Sequence, residues 1–449
     1  MDRLVLCTAC EYIVSECICQ GNDVAREAQG PAQKAAAAKK PRAVVVPIVA
    51  RSRGFYEGAV AVEKLKTPVC GTLLPPPIAR MFHESARMYS RRWIIVDNSG
   101  SMGIHDGNKT DARGRSVACT RWDELRQTLL FHGEVAQRLN APTAFRFLNR
   151  PSSCGGAEQY ITVGDPAERS GLSQLKISLN TSPTGGTPLC KHLRAVAAEL
   201  RRWQPEMDAC GQRGLIIIAT DGQSSDGDLA AALKPFERLP CSVVVRLCTD
   251  EESTVQYWND VDDDLELELD VLDDLKGEAA ECHFHNPWLT YSLPLHRIRE
   301  WGAPGKLFDL IDERPFRGPE LARFADALLG CGPGPRARAL ALALGRPGGE
   351  SLARCLEEKG PDDFGAALGS VLLDVVPVAD PLRQNALRPL IDAALAIRVA
   401  KGESVTGGQS LLGGRAMGAL VGNGSRQSNM YIIVMSLFAF YLLRLFVFD

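Results

Sequence analysis

Five residues of this chain have the types and spacing to share one ion: Asp97, Ser99, Ser101, Thr187 and Asp221. Asp97-Asn98-Ser99-Gly100-Ser101 follows the apolar run Trp93-Ile94-Ile95-Val96, which reads as a buried strand. A carboxylate and two hydroxyls thus occupy alternate positions of the loop leaving that strand. A second apolar run, residues 215–219 (LIIIA), leads into Thr220-Asp221-Gly222. Between the two lies Thr184-Gly185-Gly186-Thr187-Pro188, a glycine-containing turn at a helix start. Two carboxylates and three hydroxyls are all hard oxygen donors. They suit Mg²⁺ or Mn²⁺ in an octahedron of oxygens and argue against zinc or copper. Five protein groups, some acting through water, leave a position for an outside oxygen ligand. A carboxylate is the natural one, because it adds negative charge to an under-neutralised cation.

Taken singly, each residue has an ordinary explanation. Asp97 and Ser99 are turn formers, Thr187 is a helix N-cap, and Thr220-Asp221-Gly222 is a turn. Only their joint order makes a site, so the elements that carry them matter. Residues 121–140 and 187–203 have apolar side chains at helical spacing, and residues 229–239 are helix-like. Residues 144–148 and 242–247 read as strands, and 159–163 as a weaker one. Strands alternating with helices predict an α/β fold with a Rossmann-like, doubly wound, mainly parallel sheet. Ligands of such sheets bind beyond the carboxyl ends of the strands. Parallel strands would therefore bring Asp97 and Asp221 to one rim.

A D-x-S-x-S segment after a buried strand, a T-G-G-T-P turn, and T-D-G after a second buried strand closely resemble the von Willebrand factor A domain and its metal-ion-dependent adhesion site. The resemblance covers about residues 92–247, and none of the five positions departs from it. It implies that Ser99, Ser101 and Thr187 bind Mg²⁺ or Mn²⁺ directly, with Asp97 and Asp221 often acting through water. It implies a non-enzymatic module whose ion bridges to an Asp or Glu of a partner protein. Intracellular domains of the family commonly serve as scaffolds in multiprotein complexes. The hydrophilic stretch 103–120 looks like a long loop that alters the ligand-facing surface.

The 449-residue chain is 45% hydrophobic and 23% charged, with a formal net charge of −3. That predicts more than one folded unit and excludes a surface given over to nucleic acid. Residues 1–24 form a Cys-rich segment and 25–42 a low-complexity, Ala-rich, basic linker. Residues 43–91 lead into the ion-binding domain, 92–248. An acidic extension, 249–302, is expected to pack on that core, followed by a helical region, 303–401, and a Gly/Ser-rich linker, 402–428. Within the extension, residues 250–281 hold fourteen acidic side chains and one basic one, Lys276. There Leu265, Leu267, Leu269 and Val271 alternate with acids, which predicts an edge strand with one solvated, negative face.

Residues 429–448 predict a transmembrane helix, because the run 430–448 is apolar except for Arg444 near its end. The opening residues show no secretory signal. Together these predict a tail-anchored membrane protein with its bulk facing the cytosol. An alternative is a secreted, lipid-anchored adhesion protein, for which the sequons at Asn108, Asn180 and Asn423 would be glycosylated. Another is a component of a ubiquitin-ligase or ATPase-linked complex, which would use Cys7, Cys10, Cys17 and Cys19 as a zinc module. The six-residue gap between those cysteine pairs is shorter than in usual zinc ribbons.

Other motifs are wanting. No G-x-x-x-x-G-K-[ST] occurs, and His83-Glu84 is followed by Arg87 where a zinc-protease helix needs His. Cys282, His283 and His285, on an expected strand, have no fourth ligand. Residues 221–228 (DGQSSDGD) lack the EF-hand spacing, and no nucleophile elbow is present.

Overall fold

The computed structural model describes residues 63–407, apart from 112–115, 153–155, 250, 264, 304, 332–350 and 374. Helix α1 (Pro76–Met88) runs directly into strand β1 (Tyr89–Val96). Where the sequence predicts a long loop, a hairpin forms instead, β2 (Gly107–Thr110) antiparallel to β3 (Ser116–Cys119). Thr120 then caps helix α2 (Arg121–Leu139), its hydroxyl accepting from the Asp123 amide at 3.0 Å. Asp123 and Glu124 stand in the first turn, where the helix dipole favours acids, and Asn140 ends the helix at φ 52°.

Strand β4 (Thr143–Phe147), strand β5 (Tyr160–Val163) and helix α3 (Gly171–Leu179) precede the long helix α4 (Leu189–Cys210). The N-cap expected at Thr187 is not there: Pro188 holds the cap position and offers no side-chain bond. The α4 amides are capped instead from a distant loop. The Asp226 carboxylate accepts from the Cys190 amide at 2.9 Å and the Lys191 amide at 2.8 Å. Then follow β6 (Arg213–Thr220), α5 (Leu229–Leu233), β7 (Cys241–Leu247), α6 (Glu252–Asp263) and β8 (Leu269–Leu272).

These strands make a six-stranded sheet in the order β5-β4-β1-β6-β7-β8, parallel except for the β4–β5 pair. The period-2 alternation of β1 divides its side chains between two cores. Ile94 and Val96 join Leu125, Leu129 and Val135 of α2 on one face. Trp93 and Ile95 join Leu189, Leu193, Val196 and Leu200 of α4 on the other. Both faces being covered, the central strands β6 and β7 are buried along almost their whole length and mostly apolar, as the inner strands of a parallel sheet tend to be. From β1 the chain moves to β4 through α2 on the first face. It crosses back through α4 to β6 and continues outward through α5 on the second face. The strand order therefore reverses between β1 and β6, the place beyond whose carboxyl ends open α/β sheets bind ligands.

The sheet continues past residue 248, because β8 is its sixth strand. Leu265, Leu267, Leu269 and Val271 lie together against the second core, as their alternation predicts. The opposite face is not simply solvated. Asp270 is covered and bonds Arg299 at 3.1 Å, while Glu268 pairs with Arg213 at 2.6 Å.

Beyond β8 come α7 (Leu275–His285), α8 (Leu293–Glu300), α9 (Gly318–Leu329), α10 (Leu352–Lys359) and α11 (Pro361–Leu372). A small hairpin of β9 (Val378–Asp380) and β10 (Ala386–Arg388), then α12 (Ala393–Ala400), close the described chain. Residues 385–400 were expected to be helical throughout; only the last eight are, with Asp392 as N-cap. Leu321 and Phe324 of α9 and Phe364 of α11 share the first core with α2, so this region packs as part of the same body. His283 and His285 lie on helix α7 rather than on the expected strand. Among the described residues no helix is long and apolar enough to cross a membrane. The span expected at 429–448, the linker at 25–42, all of the linker 402–428 beyond residue 407, Asn423 and the cysteines Cys7, Cys10, Cys17 and Cys19 lie outside the described residues.

Candidate metal centre

Val96 lies opposite Ala219 in the parallel β1–β6 ladder, so the residues that follow emerge side by side. The Asp97 amide continues the ladder, donating to the Ala219 carbonyl at 2.9 Å. This places Asp97 beside Thr220, and the Thr220 hydroxyl donates to Asp97 Oδ2 at 2.6 Å. Asp97 Oδ1 accepts from the Ser99 amide at 2.9 Å, a tight Asx turn that aims the following hydroxyls back at the strand ends. Ser99 Oγ and Ser101 Oγ are 3.0 Å apart, and Ser101 Oγ donates to Asp221 Oδ1 at 3.0 Å. Four of the five expected residues therefore form one continuous oxygen cluster.

Thr187 comes to the same rim by a separate route. The Thr184 amide donates to the Asn98 carbonyl at 2.8 Å, and the Gly100 amide to the Gly185 carbonyl at 3.0 Å. Gly185 sits at φ +91°, and a Cβ there would lie 2.5 Å from Asn149 Oδ1, so only glycine lets the turn approach. Asn149 fastens both loops. Its backbone N–H donates to Asn98 Oδ1 at 2.8 Å, and its side-chain Nδ2 to the Gly186 carbonyl at 2.7 Å. Thr187 is half-buried, and its backbone is held by Ser225, whose Oγ accepts from the Thr187 amide at 3.1 Å. Among the described residues the Thr187 hydroxyl makes no hydrogen bond to the other four donors.

Burial grades across the cluster. Asp97, Ser99 and Asp221 are buried, Thr187 is intermediate, and Ser101 is exposed. The donors thus line a path from solvent to the strand ends. Burial raises the Asp97 carboxyl above its ordinary range, and the bonds from Thr220 and Ser99 only partly offset this. No cation touches Asp97 among the described residues. Asp221 Oδ2 does have one: Arg121, the first residue of α2, donates to it at 3.0 Å.

The set fits a hard divalent ion. It offers two carboxylates, one of them without a cationic partner, and three hydroxyls at graded depth, with no sulfur or imidazole. Among the described residues no group of three or more His, Cys, Asp or Glu could hold an ion. Cys282 is fully buried on α7, and burial pushes its thiol well up. The acids of residues 221–228 divide by role. Asp221 belongs to the cluster, Asp226 caps α4, and Asp228 caps α5 by accepting from the Ala231 amide at 3.1 Å.

The sequence reading missed Arg121 and its second partner, Asp106. A lone arginine at a helix start carries no periodic signal, and Asp106 lies in what reads as a hydrophilic loop. A comparison of the chain with models of protein families gives no match, and a search of curated proteins gives none either.

Proposed function

We propose that this chain is a non-catalytic protein-binding module of the von Willebrand factor A type, in which Mg²⁺ bridges to a carboxylate of a partner protein. The observation that carries the reading is the oxygen cluster of Asp97, Ser99, Ser101 and Asp221 at the carboxyl ends of two adjacent parallel strands, where the strand order reverses. The docking of the 184–187 turn against residues 98–100 supports Thr187 as the fifth donor. Mg²⁺, or Mn²⁺ in its place, would be held by these five residues and supply a Lewis-acidic position for an outside oxygen. The partner supplies an Asp or Glu there. Ser101 and Thr187 face solvent enough to let that side chain approach, while buried Asp97 holds charge against the ion. The apolar segment at 429–448 would tether the module to a membrane, with the bulk on the cytosolic side.

Pull-down from a membrane extract tests this directly. Capture of a partner in Mg²⁺ that is lost in chelator and in Asp97→Ala is the expected result. Full retention in both conditions sinks the ion bridge.

A further inference from the structure

Arg121 reaches in two directions from the start of α2. Its Nη1 donates to Asp221 Oδ2 at 3.0 Å, while Nε and Nη2 donate to the two oxygens of Asp106 at 2.7 and 2.5 Å. Arg121 is only 5% exposed, so its bond to buried Asp221 is an interior ion pair, while Asp106 holds its other side from the solvent-exposed edge. Asp106 stands at the root of the β2–β3 hairpin, and the strand beyond it is laced to the same helix. The Asn108 amide donates to Glu124 Oε2 at 2.8 Å. The Thr110 amide donates to Gln127 Oε1 at 3.1 Å, and Gln127 Nε2 returns to the Thr110 carbonyl at 2.7 Å. The backbone groups of residues 108 and 110 point to one edge of the strand, and 121, 124 and 127 recur every third position on the helix, so the free edge of β2 meets one helix face. Gly107 permits the close approach, because a Cβ there would lie 2.8 Å from the Thr120 carbonyl.

We propose that Arg121 is a built-in counter-cation of the metal site, balanced by Asp106, so that ion binding and the packing of the hairpin are energetically linked. The proposal rests on the ion reading above. Asp97 and Asp221 together match the charge of a dication, and Asp106 cancels the extra charge of Arg121. Neutralising Asp106 leaves a guanidinium unbalanced beside the ion and weakens its binding. Removing the guanidinium frees Asp221 Oδ2 and strengthens it. Linkage is reciprocal. A partner that places a basic group on Asp106 loosens the ion, and the ion disfavours that partner by the same factor. The ligand that fits offers an acid to the ion and no base to the hairpin root.

The test uses the full chain and Mn²⁺ alone, with its dissociation constant read by electron paramagnetic resonance. Hydrogen exchange of the amides of residues 107–110 and 116–119 is followed with and without Mn²⁺. Asp106→Asn should weaken Mn²⁺ binding about five- to tenfold, and Arg121→Gln should tighten it by a similar factor. Mn²⁺ should alter hairpin exchange in the wild type and not in Arg121→Gln. General damage to the rim would weaken binding in both variants, so the opposite signs separate linkage from structural loss. Should Arg121→Gln fail to fold, Asp106→Glu, which keeps the charge, should restore the affinity that Asp106→Asn loses, and equal weakening in both would overturn the linkage. Wild-type binding that Asp97→Ala abolishes, with Asp106→Asn binding like wild type, leaves the ion site standing and overturns the linkage. Absence of Mn²⁺ binding by the wild type overturns the site itself, and the linkage with it.

Discussion

Glu300 and Asp97 are equally buried and keep opposite company. Glu300 accepts from Arg297 at 2.8 Å, from Arg246 at 3.1 Å and from His132 at 2.9 Å. Arg246 also binds Glu124, and Arg297 donates to the Thr128 hydroxyl at 2.5 Å, so α2, β7 and α8 are tied through one carboxylate. Asp97 has only a hydroxyl and an amide. The Arg297 guanidinium facing Glu300, with a hydrogen bond from His132, outweighs its desolvation and holds its carboxyl well below the usual range. Desolvation wins at Asp97 and raises it. A buried carboxylate ringed by cations is a finished structural part. One held by neutral donors on a solvent-facing path is short of positive charge, and a dication would supply it.

The largest expected effect breaks or upholds that contrast. Glu300→Gln leaves buried Arg297 without its carboxylate and Arg246 with Glu124 alone, and should cost about 3–5 kcal/mol, read from the urea midpoint. Asp97→Asn, in chelator, should cost no more than about 1 kcal/mol, because it removes a charge that folding disfavours. Acid dependence separates them further. The folded Glu300 value lies below the unfolded one, near 4.5, so its contribution is full above that pH and is lost as pH falls. Buried neutral His296, pushed down to about 4, adds a loss that begins as pH drops below its ordinary 6.5. Glu300→Gln should flatten the part due to the carboxylate. Equal urea midpoints for the two variants would erase the distinction between the regions.

Most of the sheet was legible because its signals are local. Residues 215–219 are apolar at every position and 242–247 at all but Ser242 and Arg246, and such short runs suffice to mark strands buried on both faces. The joint order of Asp97, Ser99, Ser101 and Asp221 also suffices, since parallel β1 and β6 fix their neighbourhood. Three features were not legible, each because its cause is distant in the chain. Asp226 displaces Thr187 as the cap of α4 from 36 residues away. The acids Asp270 and Glu278 look solvated in a charged block, yet Arg299, from α8, gathers them into the interior. Arg121 selects Asp106 and Asp221 from opposite sides of a helix start.

Arg299 supplies a third arrangement, intermediate between the first two. It donates to Glu278 at 2.5 Å, Asp312 at 2.7 Å and Asp270 at 3.1 Å, one cation among three carboxylates. The deficit shows at Glu281 nearby on α7. Burial, then the charges of Asp312 and Asp273, push its carboxyl up to about 8. Folded Glu281 holds its proton where the unfolded chain, with a value near 4.5, has lost it. Stability should therefore fall as pH rises between those values, with the full cost present above about 8. Glu281→Gln removes the cost and should gain about 1–3 kcal/mol at pH 9, with no gain at pH 4. A thermal midpoint series across that range reads it, and an equal gain at both ends would mean the charge deficit is not the cause.

The smallest effect asks where the ion site stops. Asp226 lies in the same acidic loop as Asp221, five residues on, and composition alone cannot separate their roles. Geometry does. Both oxygens of Asp226 are engaged by α4 amides, and the Ser224 hydroxyl adds a third bond at 2.7 Å. These are the demands of a helix N-terminus, whose exposed amides need an acceptor and whose dipole favours an anion. Asp226→Ala should cost about 1 kcal/mol, the usual value of a lost cap, and should leave Mn²⁺ affinity within about twofold of wild type. Asp226→Asn, which keeps an acceptor, should recover part of the stability. A folded Asp226→Ala chain that no longer binds Mn²⁺ would move the boundary of the site. The under-neutralised carboxylates would then include one that already looks satisfied, and hydrogen-bond saturation would no longer distinguish a ligand from a cap.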